Sequence, residues 1–389
     1  MKKMSIMQYV HALAIMALLV YYEVYKMYPH EPIVSFPVVN FFVLLLLIVL
    51  FIFRMDFNYK NPITQIFFCL EMLILFISFE HHFIYHDPSL IRCVILSLPL
   101  FLFLFSYNFA NNDSDNMPTI VFFIIIFLST IFIFSNKTNV EEMLRAEAGS
   151  YCVLYFLPFA FCLKNKFLRN TAITVCIISM LLSFKRGGLI SLLCGLFVFS
   201  IIRVFEIEDG SKKIKNIFLM VLFFAILIGG IYIFNDYFED FLFYRFSVIE
   251  SGGGSGRNEI YLHVIDMITN SSWPELFIGH GWNSVLRDNY LGFSAHNDFL
   301  ECIYDVGLVA FCVYILLYVK LFFYSLYLIK RKSFFAAPFA SSAAIFLSSS
   351  LVSHILLYVY FFSIFSFFWG YIIASVDKTS CGKNLLKKS

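Results

Sequence analysis

The chain has 389 residues, of which 60% are hydrophobic, 20% aromatic and only 14% charged, with a formal net charge of +2. Soluble domains carry roughly 25% charged residues, so the composition excludes a water-soluble globular protein and points to an integral membrane protein. A charge this close to zero gives no reason to expect a nucleic-acid partner, and the informative quantity is where the charges fall.

A helix needs about 20 apolar residues to cross the hydrocarbon. Runs of that kind predict spans at 5–22, 33–53, 63–79, 90–109, 119–135, 150–163, 171–184, 187–202, 217–234, 306–329, 336–352 and 355–376, twelve in all. The amino-terminal "MKKMSIMQYVHALAIMALLVYY" has a basic start and an apolar stretch without a small-residue cleavage site, and reads as a retained first span. "SFKRGG" (183–188) divides the seventh span from the eighth, and "SSSLVSH" (348–354) divides the last two. The nine cysteines sit mostly inside apolar runs with no Cys-x-x-Cys pair, as small core or lipid-phase residues do. "EHHFIYHD" (80–87) sets His82 and His86 four apart, but no second cluster completes a coordination shell, so no metal is expected.

Lys and Arg in short loops prefer the cytoplasm. With the amino terminus inside, the cytoplasmic segments hold Lys2, Lys3, Arg54, Lys60, Lys164, Lys166, Arg169, Arg203, Lys212, Lys213, Lys215, Lys330, Arg331, Lys332 and the lysines of the tail. The short outer loops hold only Lys26, Lys137, Arg145, Lys185 and Arg186. The expected fold is an all-α polytopic membrane protein of about 12 transmembrane helices. Residues 1–234 carry spans one to nine, 235–305 form a large structured loop on the outer face, 306–376 carry spans ten to twelve, and 377–389 form a basic cytoplasmic tail.

The long loop contains the turn "SGGGSGR", a helix over "NEIYLHVIDMI", a break at Trp273-Pro274, the turn "GHGWNS" and then "SAHNDFLECIYDVG". Structured loops of this length beside a bundle are usually functional. With Ser294 as N-cap, the last stretch starts a helix on which Asp298, Glu301 and Asp305 line one face and can meet water, while Phe299, Ile303 and Val306 pack on the bundle. His296 falls in its first turn, where the helix dipole favours the neutral imidazole that a general base requires; the alternative is an interfacial histidine at headgroup level. Arg186 offers a planar fork for phosphate oxygens and Lys185 a point charge, beside a Gly187-Gly188 turn that lets a headgroup come close; the alternative is a basic loop end. Arg257 follows a glycine turn that lacks the Gly-Lys-Ser/Thr of a Walker loop and serves to present the arginine. Arg245 and Arg287 are further cations of the loop, or ordinary surface charges.

The twelve-span layout, the large outer loop before the tenth span, the Arg186-Gly187-Gly188 turn, and the pair His296-Asn297 followed after nine residues by Gly307 together resemble the O-antigen ligase and O-antigen polymerase superfamily of bacterial envelope glycosyltransferases. The resemblance implies a GT-C-like membrane enzyme of the bacterial inner membrane, active at the periplasmic face. Its donor would be a glycan linked to undecaprenyl pyrophosphate, with no nucleotide sugar, metal or other cofactor. Arg186 and Arg257 would hold the pyrophosphate and His296 would stand near the acceptor; Lys185, Asn297, Arg245, Arg287, Asp298 and Glu301 are the further candidates for binding substrate. The polymerase is favoured because Ala310 stands where the ligase form carries Thr or Gly and because phenylalanine is abundant; a chain-length regulator protein is then an implied partner, besides membrane lipid. The rival enzyme is the ligase, which transfers the glycan to lipid A-core. A secondary transporter or flippase is a third reading, against which stand the lack of a detectable internal repeat and the gathering of polar groups at the outer rim.

Overall fold

The computed structural model describes residues 61–85, 96–113, 117–135, 150–237, 243, 257–356 and 358–386. The predicted spans 5–22 and 33–53, Arg245, the glycines of 251–256, His86 and the side chain of His82 lie outside the described residues or side chains. The described chain is helical: α1 (Pro62–Tyr85), α2 (Leu98–Asp113), α3 (Met117–Ser135), α4 (Ser150–Phe161), α5 (Lys166–Leu182), α6 (Arg186–Phe205), α7 (Gly210–Tyr237), α8 (Arg257–Asn270), α9 (Trp273–Ile278), α10 (Ser284–Asp288), α11 (Asp298–Lys330), α12 (Ala336–Val352) and α13 (Val359–Leu386). Each of the ten predicted spans from 63–79 onward overlaps one of these helices, residues 90–95 of the span 90–109 lying outside the described residues. Four of them, Arg186–Phe205, Gly210–Tyr237, Asp298–Lys330 and Val359–Lys378, are long and apolar enough to cross a membrane. The chain is therefore a multi-pass membrane protein.

Packing follows from side-chain size. α13 lies against α2 and α4, α6 against α12, and α11 between α12 and α1. The α6–α12 seam is built from small residues: Ser341 Oγ donates to the Gly195 carbonyl at 2.8 Å, and Ser349 Oγ donates to Ser191 Oγ at 2.8 Å. Small residues let helices approach closely where lipid supplies no hydrophobic drive. Around α13 the filling is aromatic, with Trp369 wholly buried, its ring 5.1 Å from Phe346 and its Nε1–H donating to Ser342 Oγ. Aromatic pairs of this kind contribute about 0.5–1.5 kcal/mol each. The span window of α13 is entirely buried, whereas only 11% of that of α7 is, which makes α13 central and α7 a peripheral helix.

The two ends of the bundle differ in charge. At one end Lys332 pairs with Glu208, Arg203 pairs with Glu206 at 2.8 Å and donates to the Phe334 carbonyl, and the lysines at the start of α7 gather nearby. At the opposite end α6 and α11 begin and α12 ends, next to α8, α9 and α10.

The junction of these short helices with α11 depends on two glycines. Gly307 interrupts α11 at φ 78°, ψ 171°, and Gly279 has φ 91°. A Cβ on Gly307 would lie 2.4 Å from the Phe277 carbonyl oxygen, and one on Gly279 would lie 2.4 Å from that of Asp305, so the backbones touch where no side chain fits. The carbonyls freed by the break are taken up at once: His280 N–H donates to Tyr304 O at 2.9 Å and Gly281 N–H to Asp305 O at 2.8 Å. The Asp305 carboxylate accepts from Asn283 N–H and Val285 N–H. "GHGWNS" is thus a clamp on the broken turn of α11.

Candidate functional site

The expected helix start at Ser294 is corrected by the structure. Asn297 is the N-cap of α11, its side-chain oxygen accepting from Phe299 N–H and Leu300 N–H. Asn is as good a cap as Ser, and here it can also donate, from Nδ2 to the Leu351 carbonyl at 3.3 Å. His296 precedes the helix in left-handed backbone at φ 53°. Its N–H is held by Glu301 Oε1 at 2.9 Å, which stabilises a conformation that non-glycine residues adopt at a cost.

A second correction concerns the carboxylates. Asp298, Glu301 and Asp305 are buried, with 1%, 4% and 2% exposure, and do not face water. The spacing of three and four does put them on one stripe, but in a bundle the polar stripe turns inward. Each is matched by donors: Asp305 by the clamp, Glu301 by His296, and Asp298 by Ile355 N–H at 2.7 Å, Leu356 N–H at 3.1 Å and Tyr314 OH at 3.0 Å. Asp298 thereby fixes the segment that follows α12.

That segment carries His354, which the sequence reading passed over. Its ring stacks on His296 with centroids 4.7 Å apart and planes 22° apart, and on its other side stacks on Tyr358 at 5.1 Å. Nδ1 of His354 lies 3.3 Å from Ser294 Oγ and 3.8 Å from Glu301 Oε1. The signal in the sequence was a histidine inside a serine-rich break between two apolar runs.

The cations converge on the same place from two other directions. Arg257, the first residue of α8, donates from a guanidinium nitrogen to the Val352 carbonyl at 3.0 Å, at the end of α12. The α5–α6 reversal brings Gly187 against Val352 as well: a Cβ there would lie 2.7 Å from Val352 Cγ2 and 3.0 Å from Tyr151 OH. This reversal turns on Phe184, buried and left-handed at φ 52°, and places Lys185 as N-cap and Arg186 as first residue of α6. The positive end of the helix dipole adds to the field. Burial, and then the neighbouring His354, Arg257 and Lys185, hold His296 far below the ordinary imidazole range, at about 3. Among the described residues only the backbone N–H of His296 is hydrogen-bonded, so its neutral ring has nitrogens to offer.

Arg287 stands apart from this convergence. On α10 it pairs with Asp288 at 2.7 Å and donates to Ser284 Oγ at 3.0 Å.

The geometry therefore gathers Lys185, Arg257, His296, Asn297 and Glu301 around the end of α12, with Arg186 on the same turn as Lys185. A neutral imidazole beside anion-attracting cations can take a proton from a hydroxyl while a negatively charged group departs. Residues 171–315 match the model of a protein family described as O-antigen ligase. The matched stretch contains the Arg186 turn, Arg257, the His296-Asn297 pair and Gly307, and ends before His354. No curated protein matches the chain.

Proposed function

Starting from the match of residues 171–315 to the O-antigen ligase family, we propose that the chain is an O-antigen polymerase. It transfers a growing glycan from undecaprenyl pyrophosphate onto a lipid-linked repeat unit at the periplasmic face of the inner membrane. The observation that carries the transfer chemistry is the convergence of Arg257 and Lys185 on a neutral His296 whose ring nitrogens are not engaged by the described residues, and the choice of polymerase rests on Ala310 standing where the ligase form carries Thr or Gly. The lysines and arginines at the opposite end of the bundle support the orientation, since such residues prefer the cytoplasm.

The chemistry follows from these positions. The acceptor hydroxyl gives its proton to a ring nitrogen of His296 as its oxygen bonds to the anomeric carbon of the donor glycan. The bond from that carbon to the pyrophosphate oxygen breaks, and the electron pair leaves with the lipid pyrophosphate. Arg257, Arg186 and Lys185 stabilise the departing charge, the arginines by paired N–H groups that match phosphate oxygens. Energy for the new bond is carried in the donor, so the reaction needs no nucleotide. The site lies at an end of the bundle because the lipid tail anchors the reactive pyrophosphate there.

The ligase shares this donor chemistry and differs in its acceptor. Gels of lipopolysaccharide from a strain lacking the gene separate the two. The polymerase reading expects core bearing a single repeat unit. Bare core, with polymer retained on the lipid carrier, would overturn it in favour of the ligase.

A further inference from the structure

His354 lies outside the stretch matched to the family, yet it is the residue in closest ring contact with the proposed base. The two imidazoles stack at 4.7 Å with nearly parallel planes, a separation at which two positive charges strongly disfavour each other. Their surroundings are asymmetric. After burial, the charges that lower the proton affinity of His296 are His354 itself, Arg257 from α8 and Lys185 from the α5–α6 turn, while Glu301 meets His296 at its backbone N–H. His354 instead has the Glu301 carboxylate 3.8 Å from Nδ1, Ser294 Oγ at 3.3 Å, and the Tyr358 ring on its far face. Asp298 faces the backbone of the same segment through Ile355 and Leu356. The carboxylate thus faces a ring nitrogen of His354, and the cations face His296.

This matters when the donor binds. In the free protein Arg257 and Lys185 help to keep His296 neutral, but an anionic pyrophosphate lying against them cancels much of their field. We propose that His354 is a positioning residue that keeps His296 neutral while the anionic donor is bound, by holding the one proton the stack accommodates against Glu301. The inference rests on the reading of His296 as general base. Asp298 serves it indirectly, by tying down the segment from which His354 projects.

The test is the pH profile of glycan transfer by the purified full-length protein in detergent or nanodiscs, with a lipid-linked repeat unit as substrate. His354→Phe keeps a ring for the stack and removes the charge; His354→Gln removes both. Glu301→Gln keeps an oxygen for His296 N–H and removes the carboxylate charge. In all three the acidic limb of kcat is expected to move up by about one pH unit or more, so that activity falls further on the acid limb than at pH 8, where the profile stays parental. Should His354→Phe fail to fold, the other two variants carry the same comparison. A uniform loss at every pH, with the limb where the parent has it, would make His354 a packing residue and overturn the inference, as would parental profiles in all three variants. His296→Ala measured alongside separates the levels of the argument: continued transfer would remove the base and this inference with it, whereas loss of transfer with unmoved limbs in the other variants would overturn the role of His354 alone.

Discussion

Replacing Asp298 distinguishes a carboxylate that binds substrate from one that builds the site. Its oxygens accept from Ile355 N–H, Leu356 N–H and Tyr314 OH at 2.7–3.1 Å, and the residue is 1% exposed. In Asp298→Ala the hydroxyl of Tyr314 keeps Tyr318 and Ser350 as partners, at 2.8 and 3.0 Å, but the two amides lose theirs. A buried donor left unsatisfied costs about 1–3 kcal/mol, so the loss is about 2–6 kcal/mol. Asp298→Asn keeps one oxygen for both amides and turns its NH2 toward a tyrosine oxygen that can accept, which lowers the cost to about 1–2 kcal/mol. Thermal unfolding of the purified protein should therefore show a large drop in midpoint for Ala and a small one for Asn. Transfer activity should survive in the Asn variant with little change in KM for the lipid-linked donor. An Ala variant that unfolds with the parent yet has a KM raised tenfold or more would show that Asp298 binds substrate and would refute the structural role.

Gly307→Ala forces a Cβ to 2.4 Å from the Phe277 carbonyl oxygen and strains a backbone at φ 78°; α9 and the "GHGWNS" clamp should detach, which limited proteolysis between 273 and 293 would detect as faster cleavage than in the parent. Because His296 is held near 3 in the folded protein and titrates near 6.5 when unfolded, the unfolded chain alone takes up this proton between those values, so stability is full above about pH 6.5 and falls as pH drops toward 3. The difference in unfolding midpoint between pH 7 and pH 5 should accordingly be smaller in His296→Gln than in the parent; equal differences would contradict the assignment. Arg186→Lys and Arg257→Lys should each lower transfer by about 10²-fold, since a point charge does not reproduce paired phosphate contacts, while Arg287→Ala, on a helix with its own ion pair, should lose far less.

Much of the layout could be read from the chain. Apolar runs at 187–202, 217–234 and 336–352 became α6, α7 and α12 because, in lipid, an apolar run satisfies its backbone only as a helix. The glycine turn at 187–188 marked a place where the side chains of Val352, Tyr151 and Met180 close on the backbone, and Gly307 one where two backbones meet. The inward turn of the acidic stripe was not legible, because a spacing of three and four fits a wet face and a buried seam equally well, and only the packed neighbours decide. Ser294 misled as a cap because Asn297, three residues on, makes the same hydrogen bonds with the addition of one to Leu351. His354 was invisible as a partner of His296: 58 residues separate them, and their stacking depends on α11 running away from the site and α12 returning to it.

The most direct measurement is reconstitution. Purified protein is incubated with a single lipid-linked repeat unit, and the products are separated by size, beside His296→Ala at equal protein level. A ladder rising by one repeat unit at a time, with free lipid pyrophosphate released and no ladder from the variant, is the predicted result. General acid–base groups typically contribute about 10²–10⁴-fold, so the variant should be silent on the timescale of the parent. A parental ladder from His296→Ala, or transfer by the parent only when lipid A-core is supplied, would contradict a polymerase that works through His296.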